Sequence, residues 1–186
     1  MAFEIVNYGH PVLREVGKRV EDFSDDVRDF AAEMLETMYA AQGVGLAAQQ
    51  VARAIQLCVV DVPTELDLDE ETEAPMNPDV AMPLVLVNPT LSDASGKASG
   101  IEGCLSFPEI QLTVERQTEL VVTYQSLDGE SHTMTVRGFL ARAIQHEVDH
   151  LNGKLFIDRV PEIRKIGVSG KIKRLRKETE RLLAEA

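Results

Sequence analysis

Separate helices and antiparallel strands within one domain are what this sequence predicts, and three patterns carry the prediction. Apolar residues recur at helical spacing near the start, in the last third and at the end of the chain. Short β-rich runs lie between them, and two of these are joined by Asp128-Gly129, a pair that closes antiparallel hairpins. At 186 residues the chain is long enough for one well-packed domain and too short for two.

In order along the chain, Ser24 reads as an N-cap with Asp25 and Asp26 in the first turn, and Val27, Phe30, Ala31, Met34, Leu35 and Met38 follow at helical spacing toward Gly43. Residues 54–62 are apolar and β-branched enough for a strand. Residues 64–83 run through acids and three prolines and are expected to form a surface insertion. A second strand is expected over 83–89, followed by a small-residue loop over 92–100. Further strands are expected over 111–115, 119–125 and 131–136. Over 139–150 the apolar residues Leu140, Ala143 and Ile144, with Leu151 beyond, predict a mostly buried helix flanked by Gly138 and Gly153. A closing helix from about Lys171 sets Ile172, Leu175, Leu182 and Leu183 on one stripe opposite basic residues.

The composition is that of a globular protein, and no stretch reads as a membrane span or as a secretory leader, so a cytoplasmic location is expected. Two cysteines, Cys58 and Cys104, cannot build a multi-bridge framework. Cys58, within an apolar strand run, reads as a small buried hydrophobe. A net charge of -12 argues against nonspecific nucleic-acid binding by the body of the protein. The charge is uneven, however: residues 162–186 hold eight Lys or Arg against four acids. That basic helical extension is either a solvated helix face or a docking surface for RNA or another acidic partner.

The strongest chemical signal is His146-Glu147-Val148-Asp149-His150. At about 100° per residue, two histidines four apart lie about 40° apart on one helical face, close enough to share one divalent ion, with Glu147 beside it. An ion that acidifies water, next to a carboxylate that takes the proton, is machinery for hydrolysis. A catalytic ion of this kind usually takes three protein ligands. The extended metalloprotease signature needs a further histidine where this chain has Phe156, and Glu178 lies in a basic, surface-like helix. Cys104, alone after glycines in Gly103-Cys104-Leu105-Ser106, is the favoured third ligand, because a thiolate binds such ions strongly. The glycine-rich run Gly43-Val44-Gly45-Leu46-Ala47-Ala48-Gln49-Gln50 lacks the lysine of a phosphate-binding loop and is weak by itself.

Taken together, the runs at 43–50, 102–106 (Glu-Gly-Cys-Leu-Ser) and 145–150 (Gln-His-Glu-Val-Asp-His) resemble peptide deformylases in order and spacing, and the similarity extends over nearly the whole chain. The resemblance implies an α+β fold, antiparallel strands around the metal-bearing helix, and removal of the formyl group from the N-terminal formylmethionine of nascent polypeptides. It implies that Cys104, His146 and His150 hold the metal, with Glu147 as general base and then as proton donor to the leaving amine. The Gln50 side-chain amide and the Leu105 backbone N–H are implied as donors to the developing oxyanion. The implied ion is Fe²⁺; the ligand set would also suit Zn²⁺.

The same resemblance implies an extended peptide bound like an added strand, with the methionine side chain in a pocket walled by Val44, Gly45, Gly103, Phe139, Arg142 and Ala143. Arg142 departs from an all-apolar lining: either its stem covers the pocket while its head reaches water, or it binds the peptide backbone. Gln111 stands where some relatives carry an arginine near the peptide. Glu102 and Arg116 either pair to hold the Cys104 loop or form an ordinary strand-edge ion pair. Asp149 either orients an imidazole or faces solvent. The basic C-terminal helix is expected to contact the ribosome. A zinc peptidase and a noncatalytic metal module are the competing readings. The module needs a fourth protein ligand, and His10 and His132 both lie outside the motifs.

Overall fold

The computed structural model describes residues 2–185. Met1 and Ala186, the last residue of the basic extension, lie outside the described residues. In chain order the strands are β1 (Gly45–Ala47), β2 (Leu57–Val60), β3 (Leu84–Ser95), β4 (Ala98–Cys104), β5 (Phe107–Arg116), β6 (Glu119–Gln125) and β7 (Ser131–Arg137). The helices are α1 (Asp25–Ala40), α2 (Gly138–Leu151), the short α3 (Glu162–Lys165) and α4 (Ser169–Glu185). Five strands form one antiparallel sheet in the order β1-β2-β3-β6-β7, and β4 pairs with β5 in a separate two-stranded sheet.

The unbroken apolar run of β2 has a physical reason: both of its faces are covered. Side chains alternate across a strand, so Cys58 and Val60 pack with Leu84, Leu86 and the α2 residues Leu140, Ile144, Val148 and Leu151. Leu57 and Val59 point the other way, onto Phe30, Ala31, Met34 and Met38 of α1. The sheet is thus sandwiched between α1 and α2, and Cys58 is fully buried within it. A third apolar cluster joins Val12, Leu13, Phe107, Leu112, Val114, Phe156 and Ile157, and seats β5 against the short turns at Pro11–Arg14 and Phe156–Arg159.

Several local expectations shift. Ser24 occupies the N-cap position of α1, but its side chain makes no capping hydrogen bond; its backbone carbonyl accepts from Val27 and Arg28. The strand expected over 54–62 is shorter, at Leu57–Val60. Residues 64–83 are mostly exposed, yet Asn77 is buried and anchors them, accepting from Arg137 N at 2.8 Å and donating to Arg137 O at 3.1 Å at the entrance to α2.

The loop expected over 92–100 is instead strand, turn and strand. β3 continues to Ser95, the chain turns at Gly96 with φ +64°, and β4 begins at Ala98. Small polar residues suffice there because the segment is largely exposed and its ladder bonds come from β5 and β6. The Asp128-Gly129 hairpin forms, with Gly129 at φ +80° and β6 paired to β7 from Glu119–Arg137 to Gln125–Ser131.

α4 starts two residues before the expected Lys171. Ile172 and Leu175 pack on the third cluster, and Thr179 is the helix's buried residue. Leu182 and Leu183, expected on the same buried stripe, are 54% and 43% exposed; Thr179 is the last buried residue of the helix, although Leu183 still lines a surface cleft with Tyr8 and Arg14. Among the described residues no helix is long and apolar enough to cross a membrane.

Candidate active site

α2 turns its apolar stripe to the sheet and leaves His146, Glu147 and His150 on a buried polar face. The i,i+4 spacing brings the two imidazoles to 5.1 Å between ring centroids. Cys104 ends β4, where the pairing with β5 slips between Gly103 and Cys104, and this irregularity delivers the sulfur to the helix. Cys104 Sγ lies 3.3 Å from His150 Nε2, and ligand atoms of Cys104, His146 and His150 all lie within 4.8 Å of one another. One sulfur and two imidazoles form a donor set suited to a first-row divalent ion. Among the described residues no fourth ligand joins this group, and Glu178, the other candidate third ligand, sits exposed on α4. The residues present therefore fit one divalent ion.

Glu147 lies buried beside these donors, and its Oε2 has no hydrogen-bond partner in the protein. Its other oxygen is accommodated by Gly45: a side-chain carbon at that position would collide with Glu147 Oε1. Glycine is required in β1 because the carboxylate rests against the backbone. Burial pushes the Glu147 carboxyl up to about 7, against the pull of His146. A carboxyl poised there can both take and return a proton near neutrality.

Burial alone would raise Glu102, but hydrogen bonds from His146 and Arg116 outweigh it and hold the carboxyl well below the usual range. Burial tends to lower His146, yet contacts with Cys104 and Glu102 push it well above its ordinary value. Burial, reinforced by His146, lowers His150.

A cavity of about 790 Å³ opens onto this centre. Val44, Gly45, Gln50, Glu102, Gly103, Cys104 and Leu105 line it, together with Phe139, Arg142, Ala143, His146 and Glu147. Gln50 is buried; its Oε1 accepts from Ala47 N at 2.9 Å, and its Nε2 points to Cys104 Sγ at 3.5 Å and Ser106 Oγ at 3.3 Å. His150 and Arg116 stand behind the wall, and Gln111 lines the mouth. His10 and His132 are elsewhere, the first capping a 3₁₀ turn and the second stacked on Tyr124.

Of the polar residues around the centre, Glu102 and Arg116 pair as one of the two readings expected, and Asp149 differs from both readings offered for it. Glu102 and Arg116 are paired twice, at 2.9 Å each, and both are buried, so this is no strand-edge ion pair. Asp149 neither touches an imidazole nor faces solvent: it is buried and bound by Arg116 and Arg159. It reaches His146 only through Arg116 and Glu102, whose Oε2 accepts from His146 Nδ1 at 3.0 Å. The Arg142 head lies at the cavity wall and is held there by three bonds to the protein. Its Nη1 donates to Glu102 Oε1 at 2.8 Å and Val114 O at 3.0 Å, and its Nη2 to Ala98 O at 2.8 Å.

Sequence reasoning missed Arg159, ten residues past Asp149 with no periodic signal. It also missed Ile101, Pro108, Ile110 and Val168 on the cavity wall. Ile101 lies three residues before Cys104 and is 70% exposed on β4.

The sequence matches the polypeptide deformylase family over residues 2–165. It is 44% identical to a peptide deformylase of Opitutus terrae over 183 residues, covering 96% of this chain and 95% of that protein. It is 43% identical to one of Brucella suis, covering 89% and 88%. The fold superposes on the crystal structure of the Thermus thermophilus peptide deformylase with a TM-score of 0.82 and 37% identity, over 96% of this chain and 99% of that one. A buried carboxylate beside a Cys-His-His centre, on a fold and sequence shared at this level, places the chain in the peptide deformylase family, with that family's activity on N-formylated nascent peptides.

Proposed function

We propose that the whole chain acts as one catalytic domain in which Cys104, His146 and His150 hold a single divalent ion, Fe²⁺ in its native form, with Zn²⁺ an acceptable replacement for the same donors. The observation that carries this reading is the triad of donors within 4.8 Å, beside a buried carboxylate oxygen that has no other partner. A divalent ion bound there supplies a Lewis acid that acidifies water and polarises the formyl carbonyl. Glu147 takes the proton of the attacking water through Oε2 and hands it to the departing methionine amine. The Gln50 amide N–H, held by the Oε1 contact to Ala47, and the backbone N–H of Leu105 donate to the oxygen on which charge develops.

The methionine side chain occupies the cavity between Val44, Gly45, Gly103, Phe139 and Ala143, with the Arg142 stem as part of the wall. The 64–83 segment is a surface insertion on this domain, and α4 is an extension that meets the ribosome through its basic face. The cytoplasm, where nascent chains emerge, is the compartment this function requires.

Assay with formyl-Met-Ala-Ser beside its unblocked and acetylated forms tests the proposal. Formate release from the formylated peptide alone is expected; cleavage of internal peptide bonds would establish a peptidase instead. Metal analysis after anaerobic purification tests the ion, with one Fe²⁺ per chain expected and an active, iron-free protein excluding it.

A further inference from the structure

Glu102 has four hydrogen-bond positions on its two oxygens, and all four are filled from within the protein. Oε1 accepts from Arg116 Nε and Arg142 Nη1, at 2.9 and 2.8 Å. Oε2 accepts from Arg116 Nη2 and His146 Nδ1, at 2.9 and 3.0 Å. The carboxylate therefore cannot rotate without losing a partner in a buried setting, where an unmet charge-assisted bond is costly. Arg142 differs from Arg116 in what else it holds. It projects from α2 one turn before His146, and its remaining bonds go to Ala98 O of β4 and Val114 O of β5. One guanidinium thus ties together the helix that carries both histidines, the two-stranded sheet that carries Cys104, and the carboxylate that orients His146. Gly100 makes room for it, since a side-chain carbon there would lie 2.9 Å from Arg142 Cζ.

We propose that Arg142 is a positioning residue of the metal centre, fixing Glu102, and through it the His146 imidazole, while holding the Cys104-bearing sheet in register with α2. This inference rests on the metal-site reading above. Partners that orient metal-binding imidazoles are worth about 10- to 100-fold in metal affinity. Arg142 does this work from the wall of the substrate cavity, so the pocket and the metal centre share one support.

The test uses the cobalt(II)-loaded enzyme, following transfer of cobalt to excess EDTA and the visible absorption bands that report ligand geometry. Arg142→Met should release cobalt about 10- to 100-fold faster, with altered bands, and Arg142→Lys should recover part of the loss. Combining Arg142→Met with Glu102→Gln should add little to either change alone, since both break the same linkage. Gly100→Ala, which displaces the guanidinium without removing any contact residue, should shift release in the same direction by a smaller factor. It carries the test should Arg142→Met fail to fold. Wild-type release rates in Arg142→Met or Gly100→Ala, or effects of Arg142→Met and Glu102→Gln that multiply, would overturn the proposal. A wild-type chain that takes up no cobalt would instead sink the metal-site reading itself.

Discussion

Helices α2 and α4 are similar in length and both amphipathic, yet ten of the 14 residues of α2 are buried against one of the 17 in α4. α2 is sandwiched between the sheet and the β4–β5 pair, so polar groups on it must find a partner or be kept for the chemistry. α4 touches the body through Ile172, Leu175 and Thr179, and carries i,i+4 pairs of its own, Arg176 with Glu180 and Arg181 with Glu185. Burial makes the chemistry of α2 possible: it raises Glu147 and immobilises His146. Its absence leaves α4 a charged rod, suited to contact and not to catalysis.

The sharpest break between the two regions is expected at Cys104. Cys104→Ala should abolish metal binding and turnover together, read by metal content and formate release; an active, metal-loaded variant would mean the centre has been misassigned. Next in size is Glu147→Gln, which should keep the metal and fold while lowering kcat by about 10²- to 10⁴-fold. Gln50→Ala should cost about 2.7 to 4 kcal/mol of transition-state stabilisation with metal retained; an unchanged kcat/KM would remove Gln50 from the oxyanion site.

Stability should follow the same contrast. Ile144 is fully buried on α2, so Ile144→Ala should lower unfolding free energy in urea by about 2 to 5 kcal/mol. Leu182→Ala on α4 should stay within about 0.5 kcal/mol of the wild type. The smallest effect on turnover is expected from truncation after Gly170, which removes most of α4, a helix beyond residue 165, where the family match ends. Ribosome co-sedimentation should weaken more than small-peptide hydrolysis; equal loss of both would make α4 a folding element.

The legible parts of this molecule were those fixed by local pattern. The β2 run, the β6–β7 hairpin and α2 are each specified within a short stretch of chain, and the His146/His150 spacing carries its meaning in a single turn. The β3–β4 turn was hidden because exposed strands need no apolar signature. Leu182 and Leu183 misled because a stripe shows which face could be buried, not how far the partner surface extends. Arg142, Asp149 and Arg159 were misread or missed for a related reason: their partners lie on other elements 10 to 44 residues away, and no spacing rule connects them.

The placement of Cys58 has a practical consequence. It lies sealed at the centre of the sheet, and burial raises its thiol well above the ordinary value, so it is both unreachable and unreactive. Of the two sulfurs of cysteine in the chain, only that of Cys104 opens onto the cavity. A thiol-counting reagent applied to the native protein therefore reads out one atom: its signal should grow as the ion is stripped and vanish once that sulfur is oxidised. Damage to the enzyme becomes countable without any substrate.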